Sequence, residues 1–233
     1  MVNSRPVLVF DVNETLLDLT GLESFFEATL GDRRAMREWF SELILYSQAL
    51  TLAGHYRPFG ELAGAVLRMR AEIAGVTLRA KDIEAFGEVM SSMPAWADAA
   101  PALERLRGAG FRMVTLTNSS PGNSPTPLER AGIAHYFEAH FSVESVQCFK
   151  PAQTIYQRVA ADLGIAPAGL CLVACHIWDT LGAQAAGWQS AFVKRPGNAP
   201  LALSDLPGPD YTADDLEALA EQLCSRFAGV PPR

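Results

Sequence analysis

Polar residues able to do chemistry follow four apolar stretches of this sequence. The first stretch, PVLVFDV, contains Asp11 near its end, and burying that carboxylate costs free energy unless a neighbouring group pairs with it. Either Asp11 caps the next element or it is held there to react. The four stretches are followed by side chains that could serve as partners, namely Asn13 and Thr15, then Thr117, Asn118 and Ser119, then Lys150, and lastly His176, Trp178 and Asp179.

The apolar stretches and the segments between them predict how these groups come together. Strand-like runs at 6–12, 111–118, 140–146, 170–176 and 189–195 alternate with helical segments at 101–110, 124–133, 152–165 and 179–188, and a last helix is predicted at 213–229. Alternation at this spacing is typical of βαβ units that form a parallel sheet. The carboxyl ends of parallel strands lie at one edge of the sheet, so we expect the polar groups to converge there.

One long segment departs from this alternation. Residues 16–98 contain no convincing strand, and amphipathic helices are predicted at 32–54, 58–75 and 79–93. The sequence therefore predicts an α/β fold, with a Rossmann-like, doubly wound parallel-sheet core domain at 1–15 and 99–233 and a helical cap domain at 16–98, inserted after the first strand. We expect the cap to lie over the carboxyl ends of the strands, where such sheets bind ligands.

Charge and composition exclude some classes of partner. A net charge of -7 over 233 residues argues against nucleic acid or an anionic membrane as the partner, because both require basic patches. A small anionic substrate needs only local positive charge and stays open. No apolar run has the length of a signal peptide or of a membrane-spanning helix, and the four cysteines are too irregularly spaced for a disulfide framework. We therefore expect a cytoplasmic protein with reduced thiols.

The polar clusters resemble the motifs of a known superfamily. The set Asp-x-Asn-x-Thr, Thr-Asn, Lys-Pro and a final Asp resembles the four motifs of the haloacid dehalogenase superfamily. Within it, FDVNETLLDL, TLTNSSPGNSP, FKPAQTIY and HIWDTLGAQAAG are most similar to the type II 2-haloacid dehalogenases, and the resemblance covers essentially the whole chain. It implies a nucleophile at Asp11 that forms an aspartyl ester, which water then hydrolyses. It implies no cofactor, and it suggests a homodimer.

The resemblance also assigns roles to the other site residues. Lys150 would keep the nucleophile ionised, since a positive neighbour lowers a carboxyl pKa, and Asp179 would position Lys150 and the hydrolytic water. Threonine and asparagine side chains would hold a carboxylate oxygen of the nucleophile or the substrate. The predicted catalytic residues are Asp11, Lys150, Asp179, Thr15, Thr117 and Asn118, and the predicted substrate-binding residues are Asn13, Phe40, Phe59, Tyr156, His176 and Trp178. No metal ligand is predicted.

Phosphatases of the same superfamily offer the competing chemistry. They use Asp-x-Asp in the first motif, with the second Asp as general acid, and they bind Mg²⁺ through the nucleophile and a further acid in the last motif. Here Asn13 replaces the general acid, and an amide donates no useful proton near neutral pH. Cys175 falls where the additional carboxylate is expected, and a thiol serves a hard cation poorly. Both substitutions disfavour a magnesium-dependent phosphatase.

The chain also departs from the dehalogenase pattern. Phe40 aligns with the arginine that receives the departing halide, and Arg37 or Arg57 could take over that charge. Asn13 replaces a common tyrosine, and His176 stands where an asparagine is usual. Two alternatives to a dehalogenase therefore stay open: a hydrolase acting on another small leaving group, and a ligand-binding protein with little turnover. Taken singly, His176 and the aromatic residues could also be structural, and Asp179 could be a helix N-cap.

Overall fold

The computed structural model describes residues 4–122 and 124–231, so Asn123 and the extreme ends of the predicted core segments 1–15 and 99–233 lie outside it. The described strands form one parallel six-stranded sheet in the order β3-β2-β1-β4-β5-β6. The strands are β1 Val7–Phe10, β2 Met113–Thr117, β3 Ala139–Ser142, β4 Leu170–Ala174, β5 Gln189–Val193 and β6 Tyr211–Ala213. Because β2 and β3 lie on one side of β1 and β4 to β6 on the other, the predicted doubly wound α/β fold is confirmed.

The middle of the sheet brings Asp11 to the edge where the strand order reverses. Every residue of β1 and of β4 is buried, as expected for parallel strands covered on both faces. In the register, Phe10 lies opposite Thr115 of β2 and Val173 of β4. The Asp11 backbone N–H then donates to the Val173 carbonyl at 2.9 Å. This bond places the Asp11 side chain at the carboxyl edge, between the ends of two neighbouring strands.

Helices follow the strands and fill the segment after β1. Between β1 and β2 lie α1 Gly21–Leu30, α2 Ala35–Leu52, α3 Phe59–Ile73, α4 Ala80–Ser91 and α5 Ala99–Gly108. The later helices are α6 Pro127–Arg130, α7 Gln153–Leu163, α8 Ile177–Ala185 and α9 Leu216–Arg226. No helix in the described part of the chain combines the length and the apolar character needed to cross a bilayer.

The chain leaves the sheet region and returns to it at one place. Asp18 donates its backbone N–H to the Pro94 carbonyl at 2.8 Å, and Trp96 donates to the Leu16 carbonyl at 2.9 Å. The outgoing and returning segments therefore run side by side, with α1 to α4 between them. The predicted domain boundaries at 16 and 98 lie close to these two hydrogen-bonded segments. The division into a core and a cap domain stays a prediction.

The buried face of α2 sets the direction of its functional side chains. Met36, Trp39, Phe40 and Leu43 are buried, and the Trp39 indole packs against the Phe26 ring with centroids 5.6 Å apart. The Trp39 indole N–H donates to the Ala63 carbonyl of α3 at 3.0 Å, so the large indole is buried without losing its hydrogen bond.

Some predicted elements differ from the observed ones. The predicted helix at 124–133 shortens to α6, because Thr126 and Glu129 form a capping box at its start and Gly132 takes a φ of +74° after its end. The predicted strand at 140–146 stops at Ser142, where the hydroxyl accepts the Glu144 N–H and starts a 3₁₀ turn. Neither the three-residue β6 nor α1 was predicted.

Candidate active site

Asp11 and Lys150 form a buried ion pair at the edge of the sheet. The Lys150 Nζ lies 2.8 Å from Asp11 Oδ1 and 2.5 Å from Asp179 Oδ2. It also donates to the Leu116 carbonyl at 3.1 Å, so all three N–H groups of the ammonium have acceptors. The Lys150 side chain is fully buried. A buried ammonium needs this complete set of partners to remain charged.

Asp179 and Tyr156 support Lys150 from behind. The Asp179 carboxylate is fully buried; its Oδ2 faces Lys150 and its Oδ1 accepts the Tyr156 hydroxyl at 2.5 Å. Asp179 lies in the first turn of α8, where the helix dipole favours a negative charge. The Asn118 Oδ1 accepts the Lys150 backbone N–H at 3.0 Å and fixes the segment that carries the lysine.

The surrounding charges decide the protonation of this group. Burial by itself would raise the pKa of Asp11, but the Lys150 ammonium and then His176 outweigh it and hold that pKa well below its ordinary value. The pKa of Lys150 is raised, because the two carboxylates outweigh the effect of burial. Burial and the charge of Asp11 raise the pKa of Asp179, against the opposing effects of Lys150 and Tyr156. The Asp11 carboxylate is therefore ionised.

The second oxygen of Asp11 accepts hydrogen bonds from Thr15 and His176. The Thr15 hydroxyl lies 2.7 Å from Asp11 Oδ2, and it accepts the Cys175 backbone N–H at 3.0 Å. Since that N–H occupies one lone pair of the hydroxyl oxygen, its single proton points at Asp11. The His176 Nδ1 lies 3.1 Å from the same Oδ2.

His176 lies between two carboxylates. Its Nε2 is 2.9 Å from Glu14 Oε2, while its Nδ1 faces Asp11. Both ring nitrogens donate only when the imidazole is protonated, so an ionised Asp11 and an ionised Glu14 together require an imidazolium. The other Glu14 oxygen, Oε1, pairs with the Arg37 guanidinium of α2 at 2.6 Å.

The directions of the pKa shifts agree with this geometry. Burial opposes a charge on His176, but the Cys175 sulfur and hydrogen bonds to Asp11 and Glu14 outweigh it and raise the pKa well above its ordinary value. Burial would raise the pKa of Glu14, yet His176 and then Arg37 lower it. The site then holds three carboxylates and three cations. The carboxylates are those of Asp11, Glu14 and Asp179, and the cations are Lys150, His176 and Arg37.

Glu14 adopts a backbone conformation that is rare for its residue type. Its φ is +61°, in the left-handed region that favours glycine, and its side chain is almost fully buried. The strain is opposed by neighbouring hydrogen bonds: the Trp96 indole donates to the Glu14 carbonyl at 2.7 Å, and Arg195 donates to the Thr15 carbonyl at 3.0 Å. This conformation aims the Glu14 carboxylate at His176.

A small cavity adjoins Asp11. It is lined by Asp11, Asn13, Phe40, Ile44, Phe59, Thr117, Asn118, His176 and Trp178. Its volume is about 10 Å³, close to the roughly 10–15 Å³ that one water molecule needs, so the side chains are nearly closed around Asp11. Trp178 stacks on His176 with centroids 4.8 Å apart, and Phe40 lies on the ring at 5.8 Å. Aromatic walls thus surround a site whose charge comes from Asp11 and His176.

The structure brings the predicted catalytic residues together. It places the predicted substrate-binding residues in two different locations. The lining includes Thr117, Asn118 and the predicted substrate-binding residues with one exception. That exception is Tyr156, which packs behind Lys150 and donates to Asp179, away from the residues that line the cavity. Asn13 donates to the Ser119 hydroxyl at 3.2 Å and so links the loop after β1 to the loop after β2.

The sequence predicts no role for Glu14 and does not predict its contact with Arg37. Arg37, one of the two possible replacement cations, pairs with Glu14. It also lines an outer pocket that shares Phe40, His176 and Trp178 with the cavity. Arg57, the other candidate, is exposed and donates to the Tyr56 carbonyl. The sequence signal that could have indicated a role for Glu14 is its charge, because it lies inside the first motif, between Asn13 and Thr15.

One group of side chains in the described part of the chain could offer ligands to a metal ion. Single atoms of Asp11, Cys175 and His176 lie within 4.8 Å of one another. Both nitrogens of His176 face carboxylate oxygens, and Asp11 Oδ2 accepts the Thr15 proton, so the donors are already engaged in hydrogen bonds. A divalent ion would have to displace a proton from His176, and it would face the Lys150 ammonium across the Asp11 carboxylate.

Comparison with known proteins agrees with the fold. Residues 6–187 match the family model described as haloacid dehalogenase-like hydrolase. The (S)-2-haloacid dehalogenase 4A of Burkholderia cepacia is 26% identical over 202 residues, covering 86% of this chain and 87% of that protein. The crystal structure of the L-2-haloacid dehalogenase RSc1362 is similar with a TM-score of 0.88 at 26% identity, covering 94% and 99% of the two chains. A dehalogenase solved as an intermediate complex is similar with a TM-score of 0.87 at 25% identity, covering 96% and 99%. This chain belongs to the haloacid dehalogenase-like hydrolases.

Proposed function

We propose that this protein hydrolyses the carbon–halogen bond of small 2-halocarboxylates, with Asp11 as the nucleophile. Asp11 attacks the carbon that bears the halogen and expels halide, and water then cleaves the resulting aspartyl ester. The observation that carries the proposal is an ionised Asp11 carboxylate, surrounded by proton donors, at the wall of a small cavity. The relatives that are named 2-haloacid dehalogenases, including one of 26% identity over most of its length, support the same chemistry.

The electrostatics suit a carboxylate nucleophile. Attack requires the anion, and Lys150 with His176 keeps the pKa of Asp11 low even though the group is buried. Thr15 and Lys150 also hold the two carboxylate oxygens in fixed positions, so little reorganisation is needed when the reaction begins.

The side chains that line the cavity suit a short anionic substrate. Phe40, Phe59 and Trp178 offer an apolar surface to the carbon chain, while Thr117 and Asn118 lie at the end of β2 with polar groups for a carboxylate. The nearby Lys150 and His176 provide positive potential to an incoming anion.

A magnesium-dependent phosphatase is the rival with the clearest expectations. The general acid that it needs is replaced by Asn13, whose amide is bonded to Ser119. The N–H groups of Lys150 and His176 point at the two Asp11 carboxylate oxygens, and a divalent cation would have to displace these hydrogen bonds. We expect almost no hydrolysis of p-nitrophenyl phosphate in the presence of Mg²⁺.

The experiment follows halide release from 2-chloropropionate and fluoroacetate, with and without EDTA. We expect release that survives EDTA and disappears in Asp11→Asn, which keeps the shape of the side chain but loses its nucleophilic charge. The matched control is Asp162→Asn on the exposed face of α7, which should keep wild-type activity. Halide release that continues in Asp11→Asn would contradict the proposal.

Isotope labelling tests the covalent step. Under single-turnover conditions in H₂¹⁸O, water that attacks the ester carbonyl leaves the label on Asp11, and the first 2-hydroxyacid carries ordinary oxygen. Label in the product of the first turnover would show direct attack of water on the substrate and would exclude the aspartyl ester.

One observation favours a different leaving group. Phe40 stands where the resemblance places the halide-binding arginine, and it packs against the His176 ring with centroids 5.8 Å apart. The second candidate is therefore hydrolysis of another small electrophile through the same ester. A covalent mass increase on Asp11 without halide release from haloacids would favour this candidate.

The resemblance also suggests a homodimer in the cytoplasm. Both remain predictions, and sedimentation of the purified protein would test the first.

A further inference from the structure

We propose that His176, held in place by Glu14, is the general base that takes a proton from the water that hydrolyses the Asp11 ester. The inference rests on the proposed function, since it concerns the second half of that reaction. For this step, the sequence predicted only Asp179, as the residue that positions the hydrolytic water.

The cavity lining narrows the choice of base. Among the described residues that line the cavity, only Asp11 and His176 carry a side chain that can take up a proton near neutral pH, and Asp11 is esterified at that stage. Asp179 is absent from the lining, and its two oxygens are engaged by Lys150 and Tyr156. The His176 Nδ1, 3.1 Å from Asp11 Oδ2, lies within reach of a water beside the ester carbon.

Glu14 gives the histidine the orientation of a base. A carboxylate on Nε2 holds the proton on that nitrogen, which leaves Nδ1 to accept a proton on the side of the cavity. Arg37 holds the other Glu14 oxygen and keeps the carboxylate ionised and fixed. The left-handed backbone of Glu14, at φ +61°, is a strained conformation that this arrangement requires.

The protons balance over the cycle. In the free enzyme the imidazolium faces the Asp11 carboxylate. When the Asp11 oxygen bonds to carbon, halide leaves with the bonding electrons, and the Nδ1 proton leaves to solvent as H⁺. Water then adds to the ester carbonyl and one of its protons passes to Nδ1. The bond between the carbonyl carbon and the ester oxygen breaks, and that oxygen takes the second water proton and leaves as the hydroxyl group of the 2-hydroxyacid. The enzyme returns to Asp11 carboxylate and His176 imidazolium, and the net products are 2-hydroxyacid, halide and one proton.

Esterification itself supplies the change in basicity. Three groups face His176 and set its protonation: the Asp11 carboxylate after β1, the Glu14 carboxylate in the following loop, and the Cys175 sulfur at 3.6 Å from Nε2. Phe40 of α2 and Trp178 of α8 cover the ring without charge. The two nearby cations pair with these carboxylates, Lys150 with Asp11 and Arg37 with Glu14. Esterification removes the negative charge of Asp11, so burial then favours the neutral imidazole.

The test separates formation of the ester from its hydrolysis. His176→Asn removes the base but keeps a polar side chain of similar length. Mixed rapidly with 2-chloropropionate, it should release one equivalent of chloride per site and then stall, with the ester detected on the Asp11 peptide by mass spectrometry. We expect ester hydrolysis to slow by about a hundredfold to ten-thousandfold. The control is His135→Asn on the exposed surface, which should turn over like the wild type.

Two results would overturn the inference while leaving the proposed function intact. One is wild-type turnover of His176→Asn without accumulated ester. The other is a folded His176→Asn protein that forms no ester at all, because His176 would then serve the first step. If the wild type itself forms no ester and releases no halide, the proposed function fails instead, so the two failures are distinguishable.

Glu14→Gln tests the positioning role. Glutamine keeps a hydrogen-bond acceptor for Nε2 but removes the charge that favours protonation of the ring. The pH dependence of ester hydrolysis should therefore shift to lower pH, while formation of the ester persists. A residue that only supports the fold would leave this profile where it is, and an unshifted profile would overturn the role of Glu14.

Discussion

The two oxygens of Asp11 face two groups of charges that are built differently. On the side of Oδ1 lie Lys150, Asp179 and Tyr156, here called the lysine group, and all three side chains are fully buried. On the side of Oδ2 lie His176, Glu14 and Arg37, here called the histidine group, which ends at a guanidinium whose side chain is 36% exposed.

In the proposed mechanism, this difference separates two tasks. The lysine group has an acceptor for each proton of its ammonium, so its charge stays constant through the cycle. The histidine group contains an imidazole between two carboxylates, and its protonation depends on whether Asp11 is charged. One side of the nucleophile fixes its ionisation, and the other side can exchange a proton.

The largest effect is expected from breaking the lysine group. Lys150→Met leaves the buried carboxylates of Asp11 and Asp179 facing each other without their cation. We expect the free energy of unfolding to fall by about 3–5 kcal/mol and halide release to disappear. Urea unfolding measures the first and a halide electrode the second.

The control for this prediction is an exposed lysine in a surface ion pair. Lys194 pairs with Asp214, and 51% of its side chain is exposed. Lys194→Met should cost no more than about 1 kcal/mol. If Lys150→Met costs no more than this control, the lysine group is not a coupled buried unit.

A smaller effect is expected at Tyr156, which decides whether that residue belongs to the pocket or to the lysine group. Tyr156→Phe removes the hydroxyl that donates to Asp179 Oδ1 at 2.5 Å. Because the buried oxygen loses a partner, we expect stability to fall by about 1–3 kcal/mol. The KM for 2-chloropropionate should remain near the wild-type value, since the hydroxyl lies away from the cavity. A large rise in KM with unchanged stability would support the pocket role that the sequence predicted.

The two groups also differ in how far they could be predicted. Two members of the lysine group follow a recognisable signal, because Lys150 precedes a proline after an apolar run and Asp179 opens a helix after another. Tyr156, the third member, was predicted to bind the substrate instead. Parallel strands bring such ends to one edge whatever the details of packing, and the central strands are long apolar runs that are easily recognised. The fold and the pair of Lys150 and Asp179 therefore follow from local patterns, whereas the place of Tyr156 does not.

The histidine group depends on tertiary distances that no local pattern specifies. Glu14 and His176 are 162 residues apart, and their contact requires a left-handed backbone at a non-glycine residue. Arg37 joins them only because the buried face of α2, with Trp39 and Phe40, leaves Arg37 at its flank. The missed strand β6 has a different cause, since three residues carry too little pattern to be recognised.

The pH dependence of stability tests the charge of the histidine group. The folded pKa of His176 is raised above its ordinary 6.5, so its contribution to stability is fully present below pH 6.5 and is lost as pH rises through the folded value. Asp11 and Glu14 have lowered pKa values, so their contributions are present above their ordinary 3.8 and 4.5 and are lost as pH falls.

The difference in unfolding free energy between wild type and His176→Asn should therefore be largest between about pH 4.5 and 6.5. Above that window it should decline with a slope of at most about 1.4 kcal/mol per pH unit, the value for one proton. Urea unfolding from pH 4 to pH 10 measures this difference. A difference that does not vary with pH would show that His176 is neutral in the free enzyme.

The smallest effect on stability, and the finest test of the comparison, lies at Arg37. Its guanidinium is partly exposed, so Arg37→Gln should cost no more than about 1 kcal/mol, comparable to Arg33→Gln on the same surface. Arg37 nevertheless partly neutralises Glu14. Without it, Glu14 should hold the proton of His176 more strongly, and the pH dependence of ester hydrolysis should move to higher pH. Glu14→Gln should move it to lower pH, so two substitutions in one ion pair shift one profile in opposite directions. Shifts in the same direction would mean that the pair acts on the fold and not on the charge of His176.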